Sequence, residues 1–466
     1  MRIKTIPIVN IDKTTNPVNT ICDLKWTYPL FNFGRGEYRT CCRSPGNMVT
    51  DKELDDLGVN AFINHPREIQ QRLDLIKGKR IDDCQSCWNL EDRGLSSPRE
   101  PKRFHYFMRR NGHIDQTLEY DPEKVPETLT SINDINHPSL VSKSPYMVEL
   151  ILGNTCDMKC MYCSHHYSSQ WATERIKYGE ITQEQYDIEF PKPSDKFTET
   201  FWKWFNETGR YGMYRLGIIG GEPLITPELY PMLEKLIASM EKIEHTRKTK
   251  PNLYIVTNMN TPDSYSEKFY DFLPKLSTLF DVEIMISMES TGERAEYIRN
   301  GLNWNTFDKN VNRLLSHTEL NFDVSFMASL NVLCISGLKD FVEYVTQLYY
   351  RHRRPIGLRQ NIINFPDWQT PSILTPNFAN YIDAAIDYMN EHVHNMPHSK
   401  MNHSAYDDYI TFLTNIRDGI RNSTNEPIAL RKKFAEWFNT YDERRKLSLL
   451  KIFPEYREFY EMCKGL

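Results

Sequence analysis

The 466-residue chain has no apolar run long enough to cross a bilayer as a helix. Its opening stretch, MRIKTIPIVNIDKTT, has neither an extended apolar region nor a small-residue cleavage site, so no secretory leader is expected there. Excess charge is also missing: 57 Lys and Arg stand against 62 Asp and Glu, a formal net charge of −5. That balance gives no general electrostatic drive toward nucleic acid or anionic membrane, although Arg351-His-Arg-Arg-Pro355 is a local basic patch. There is no internal repeat and no low-complexity segment. With no secretory context, the ten cysteines argue for metal or catalysis rather than a disulfide framework, and for a cytoplasmic protein.

What the chain does contain is one dense stretch, Gly153 to Trp171, which carries Cys156, Cys160 and Cys163 in the spacing Cys-x3-Cys-x2-Cys. Three thiols cannot all pair as disulfides, but they can close on one face of a metal centre. Soft thiolates select zinc or iron–sulfur. A structural zinc site wants a fourth ligand, and His165 and His166 are on offer. A cluster held by three cysteines instead leaves one iron open. Tyr146 to Leu152 is an apolar run of strand length, so the cysteines sit on the loop that leaves a strand, where ligand sites form in α/β folds. About sixty residues on, Gly220-Gly221-Glu222-Pro223 follows another apolar run.

The rest divides by pattern. Residues 1–100 carry Cys22, Cys41, Cys42, Cys84 and Cys87, a hairpin-turn signal at Gly34-Arg35-Gly36, and a helical segment from Pro66 to Lys79 with Ile69, Leu73 and Ile76 on one face. That helix should bring the two cysteine groups back together, and Cys84-x2-Cys87 taken alone is most often half of a zinc site. Residues 101–143 are polar and proline-bearing and read as a linker or cap. From 144 to 366 strand-like runs (Met147–Leu152, Arg215–Ile219, Leu253–Thr257, Asp281–Ser287, Asp323–Leu330, Gly357–Ile363) alternate with helical segments (Phe197–Thr208, Glu228–Lys242, Ser264–Leu276, Trp304–Leu315, Leu338–Tyr350). Alternation of this kind calls for parallel strands with crossover helices, in a barrel or a doubly wound sheet. Residues 367–466 read as helical and aromatic; Cys463 near the end, like Cys334 in the core, reads as an ordinary packing residue. Thr257-Asn258, Ser287 with Glu289, and Asn331 stand at strand ends, where they suit either a ligand or a helix cap.

Cys-x3-Cys-x2-Cys with Tyr162 before the last cysteine, followed in order by Gly220-Gly221-Glu222-Pro223, resembles the radical S-adenosylmethionine (SAM) enzymes. The resemblance implies a partial (β/α)6, TIM-like barrel in an α/β chain. It further implies a 4Fe–4S cluster on Cys156, Cys160 and Cys163 whose open iron binds SAM. Glu222 would take the SAM ammonium, Gly220, Gly221 and Pro223 would shape that pocket, and Tyr162 would pack by the adenine. Asn258, Ser287 and Glu289 would hold the ribose and carboxylate. Arg299 resembles an arginine that often follows the fifth strand of the family, and is equally well read as a solvated charge on a helix.

Cys22, then Gly36-x4-Cys41, then Cys84-x2-Cys87 is similar to the auxiliary-cluster module called SPASM, or its short form, twitch. This implies a second 4Fe–4S cluster on Cys22, Cys41, Cys84 and Cys87, with Cys42 as a spare and zinc as the plainer occupant. A cluster with four protein ligands suits electron transfer, so the implied function is an oxidoreductase that oxidises or cross-links a peptide or protein. The alternatives are a radical dehydrogenase of a small alcohol or sugar, and a non-catalytic iron–sulfur or zinc scaffold. Implied partners are the substrate and a reductase or flavodoxin-like electron donor, with no membrane, and the acidic balance argues against nucleic acid.

Overall fold

The computed structural model describes residues 20–92, 97, 99, 132–243, 249–393, 405–423 and 426–466. The expected linker lies outside the described residues from 101 to 131. The chain forms two compact units, Met1–Leu150 with Pro191–Arg215, and Ile151–Phe190 with Leu216–Leu466.

In the first unit, strand β1 (Leu30–Asn32) turns back on β2 (Glu37–Arg39), with Phe31 opposite Tyr38. The turn forms where the glycines foretell it, because Gly36 takes a left-handed φ of 64°, which a side chain resists. β3 (Asn47–Met48) pairs antiparallel with β2, and β4 (Met147–Ile151) lies on the other side of β1. Phe31 is wholly buried and meets Phe62 edge-on at 5.1 Å and Phe201 at 4.8 Å. Phe201 belongs to the helix Asp195–Trp204, whose buried face of Phe197, Phe201 and Trp204 joins this aromatic core. That packing explains why the segment groups with the N-terminal unit, although its alternating pattern suggests a barrel helix. The helix Pro66–Ile76 starts at a His65 cap and buries Leu75 and Ile76. Its Arg72, also buried, donates to the carbonyls of Lys25, Ile63 and Leu140, and so ties three separate segments together.

The second unit is mixed α/β with a parallel-rich sheet. Besides the short β5 (Lys159–Cys160), it has β6 (Arg215–Ile219, entering from Leu216), β7 (Asn252–Thr257) and β8 (Asp281–Ser287). It also has the short β9 (Arg299–Asn300), then β10 (Phe322–Leu330) and β11 (Ile356–Ile362). In the sheet β6, β7, β8, β10 and β11 are neighbours in chain order, and β7–β8, β8–β10 and β10–β11 are parallel. The helices Leu229–Glu241, Asp263–Leu279, Trp304–Ser316 and Leu338–His352 connect them. Strands such as β7 and β8 are buried almost end to end, as parallel strands covered on both faces must be. The helices Ala379–His392, Ala405–Arg421, Ile428–Arg445 and Arg457–Lys464 follow.

Candidate active site

The cysteine loop leaves β4 and ends at the helix Ser169–Lys177, and that helix start holds the loop in shape. Ser168 caps the helix by accepting from Trp171 N and donates its own hydroxyl to Met158 O at 2.6 Å. Ser169 Oγ bonds both the N–H and the carbonyl of Cys156, while Trp171 Nε1 donates to Cys160 O at 2.9 Å. A tight turn from Cys160 O to Cys163 N, 2.9 Å, brings those two cysteines together. β5 pairs antiparallel with β9 so that Cys160 stands opposite Arg299.

The glycine motif is hydrogen-bonded directly to this loop. Glu222 N donates to Thr155 O at 2.7 Å. Gly220 and Gly221 have φ of 87° and 48°, and a Cβ on Gly221 would stand 2.3 Å from Thr155 O. Only glycine permits that approach of backbone to backbone. Glu222 is 1% exposed; its carboxylate accepts from Leu224 N, Thr257 Oγ1 and Asn258 N. Burial raises its pKa to about 7 against the pull of those donors. Pro223 opens the short turn that follows and is buried.

Cys156, Cys160 and Cys163 line one cavity of 780 Å³ together with Tyr162, Gly220, Gly221, Glu222, Asn258, Ser287 and Arg299. Burial raises all three thiols, Cys160 to about 11 and Cys163 to about 12, with Cys160 adding to the rise for Cys156 and Cys163. Sulfurs that share a space and repel one another as anions are a donor set for a cationic centre.

Several expected ligand contacts are otherwise engaged. Glu289 does not line the cavity. It is 1% exposed and gripped by Arg299, Nη2 to Oε2 at 2.5 Å and Nε to Oε1 at 3.2 Å. The Tyr162 hydroxyl donates to the same carboxylate at 3.1 Å, so it faces Glu289 rather than open cavity. Arg299 is no solvated helix charge: it is 4% exposed, and Nη1 reaches Cys160 Sγ at 3.8 Å. Pro223 is likewise absent from the cavity wall. Asn258 uses its amide on Asp157 (2.8 Å) and its oxygen on Asn260 N (2.8 Å). Asn260 binds the other Asp157 oxygen, so the two asparagines after β7 clamp the cysteine loop through a carboxylate. Asn331 is a plain cap, accepting from Leu333 N and Cys334 N.

The sequence also pointed to His165 and His166 as zinc ligands beside the cysteines, but the structure groups them with Glu189. Arg175 donates to His165 Nδ1 at 2.7 Å, which leaves Nε2 to carry the proton and donate to Glu189 at 2.7 Å. With both ring nitrogens engaged, His165 has no lone pair for a metal. Among the described residues no three cysteine sulfurs lie within 4.8 Å of one another. Thiolates on a single tetrahedral zinc, at about 2.3 Å each, would stand closer, roughly 3.8 Å apart.

Sequence reasoning missed Asp157, Asn260, Trp368 and Trp437. The last two line the cavity from the C-terminal region, with Phe365 and Tyr167 also on its wall. Only the Asn-x-Asn after β7 carried a local signal, as two polar residues at a strand end.

The second cysteine group lies wholly in the first unit. Cys22, Cys41, Cys84 and Cys87 are buried, and Cys42 is exposed. The four act on each other electrostatically: Cys41 and Cys84 raise Cys22, and burial, with Cys41 and Cys87 adding to it, pushes Cys84 up to about 12. Cys41 is the exception. A bond from the Cys42 thiol, with backbone N–H groups of Arg43 and Ser44, lowers it to about 6. Four buried thiols that influence one another electrostatically suit a shared metal centre.

No family model matches the chain, and no curated protein matches it. Among solved structures it is similar to Streptococcus suis SuiB bound to S-adenosylmethionine, with a TM-score of 0.30 and 11% identity over 70% of this chain. It is also similar to SuiB bound to the precursor peptide SuiA, with a TM-score of 0.33 and 11% identity over 73% of this chain. The chain spans 62% of the length of the first and 68% of the second. A likeness of this size leaves function to the site itself.

Proposed function

We propose that this protein is a radical SAM enzyme that removes a hydrogen atom from a peptide or protein and oxidises or cross-links it. The observation that carries the reading is the shared cavity: the three thiols and the Gly-Gly-Glu turn line one space, and Glu222 N is bonded to the cysteine loop. Cys156, Cys160 and Cys163 would hold a 4Fe–4S cluster, and Glu222, Gly220 and Gly221 the methionine end of SAM. When bound, that pair supplies reductive cleavage of the sulfonium to methionine and a 5′-deoxyadenosyl radical.

The chain's own residues do the positioning. Glu222 sits close to half-charged at neutral pH, and an ammonium beside it would draw it to the carboxylate. Asp157, clamped by Asn258 and Asn260, keeps the loop from shifting. Arg299 sets a positive charge against Cys160, favouring its thiolate.

Cys22, Cys41, Cys84 and Cys87 would hold an auxiliary 4Fe–4S cluster for electron uptake, and a reductase or flavodoxin-like protein would supply the reducing electron. The domain assignment with this reading is 1–100 auxiliary, 101–143 linker, 144–366 barrel and 367–466 helical. Phe365, 81% exposed, and Tyr167, 41% exposed, on the cavity wall suit a substrate that extends past the cavity. That favours a peptide over a compact alcohol. No helix among the described residues is long and apolar enough to cross a membrane.

The test is iron and acid-labile sulfide on anaerobically reconstituted protein, wild type beside Cys156→Ala/Cys160→Ala/Cys163→Ala. About eight irons falling to about four, with loss of 5′-deoxyadenosine formation, is expected. Iron absent from the wild type sinks the reading.

A further inference from the structure

We propose that Lys25 and Arg99, two buried cations whose hydrogen bonds reach the residues beside the N-terminal cysteines, raise the reduction potential of the iron–sulfur group held there and make it an electron acceptor. This rests on the auxiliary-cluster reading above. Lys25 is 1% exposed, and its ammonium donates to Thr40 Oγ1 at 2.6 Å, next to Cys41, and to Asp83 Oδ2 at 2.9 Å, next to Cys84. Gln71 at 2.6 Å and Glu68 at 3.3 Å complete its shell, and its backbone N–H bonds Cys22 O. Arg99 approaches from the other end. Its Nη1 donates to Thr20 O at 3.0 Å and Ile21 O at 3.3 Å, immediately before Cys22. Its guanidinium lies 3.7 Å over Trp88, the residue after Cys87, and forks onto Glu91.

The two fields divide the group between them. Arg99 stands at the Cys22 and Cys87 ends of the group, and Lys25 at the Cys41 and Cys84 ends. Each of the four therefore feels a cation. A lysine with this little exposure carries a desolvation penalty that an apolar side chain would avoid, offset here by its ion pairs with Glu68 and Asp83. The redox step has a simple balance. Hydrogen-atom removal would leave a carbon radical on the substrate; its loss of one electron to a cluster held by these cysteines and of one proton to solvent would add one negative charge to that cluster. A nearby cation in a medium of low dielectric stabilises the form that carries the extra charge, which raises the potential.

The experiment uses the full chain with Cys156→Ala/Cys160→Ala/Cys163→Ala, so that only the N-terminal group holds iron. Its midpoint is read by electron paramagnetic resonance during titration with dithionite. Arg99→Gln and Lys25→Met are each expected to shift the reduced-to-oxidised ratio at least tenfold toward the oxidised form, about 59 mV downward for a one-electron couple. Arg99→Lys keeps the charge and should hold the parent midpoint. Lys25→Met/Asp83→Asn removes one charge of each sign and should recover part of the Lys25→Met shift. If Lys25→Met takes up no iron, the two Arg99 variants decide. An unmoved midpoint in iron-loaded Arg99→Gln overturns the proposal, as does an Arg99→Lys midpoint that falls as far as that of Arg99→Gln. A parent protein without iron overturns the auxiliary-cluster reading itself, a failure distinct from an iron-loaded protein whose midpoint does not respond.

Discussion

The two cysteine groups use the same side chain in opposite ways. In the second unit three thiols line an open cavity on a loop between β4 and a helix, shared with a glycine turn from β6. In the first unit four thiols are buried, contributed by a hairpin exit, a short N-terminal turn and the Cys84-x2-Cys87 knuckle. Three thiols on the wall of an open cavity leave room for a reactant; four buried ones do not. The charges around them differ accordingly. One arginine, held by a buried carboxylate, touches one sulfur of the open group, whereas two cations bracket the closed one. On the reading proposed above, ligand number and openness, rather than thiol chemistry, would separate a reacting centre from an electron store.

That contrast can be broken in order of expected effect. Removing Arg299 should strike the open group hardest, because Glu289 would keep a buried charge without its cation. Arg299→Met is expected to cost about 3–5 kcal/mol of stability in urea unfolding, and Arg299→Met/Glu289→Gln much less. A single variant as stable as the wild type would contradict the ion-pair account. Iron bound at the N-terminal cysteines, on the proposed reading, should survive both substitutions.

A pH test comes next, and its sign follows from burial. The folded pKa of Glu222 is raised from 4.5 to about 7, so the folded state binds its proton more tightly than the unfolded chain does. The stabilisation is complete below the unfolded pKa and is lost as pH rises through about 7, a difference of about 3 kcal/mol. Glu222→Gln should flatten this dependence between pH 4.5 and 7, read by unfolding at several pH values. Equal slopes for the two proteins would show that Glu222 is charged throughout.

The smallest effect sharpens the closed group. Cys42→Ser should leave iron content unchanged, since Cys42 faces out while Cys41 is buried with two backbone N–H groups supporting its sulfur. Cys41→Ser should lower it. The reverse result would exchange their roles.

Much of this was readable from local pattern. The strands near Met147, Arg215 and Asp281, the hairpin at Gly36 and the helix from Pro66 all form where apolar period and turn residues indicate. The Gly-Gly pair stood out as a motif after an apolar run, and the structure adds the reason at Gly221, where a Cβ would stand 2.3 Å from Thr155 O. Side-chain roles were less legible. Glu289 looked like a residue at a strand mouth, yet it is buried against an arginine ten positions later, because β9 folds back beside β5 and carries Arg299 inward. The Asp157 clamp joins residues about a hundred positions apart. Trp368 and Trp437 reach the cavity only through the packing of the C-terminal region.

The sequence by itself therefore determined the thiol spacings, the glycine turn and the alternation of strands and helices, since each depends on neighbours within a few residues. Tertiary structure decided which carboxylate meets which cation and which thiols face a cavity. It also decided that Asp195–Trp204 packs with the N-terminal unit, because its aromatic face finds Phe31 and Phe62. Those outcomes turn on which distant surfaces exclude water together, and no local period encodes that.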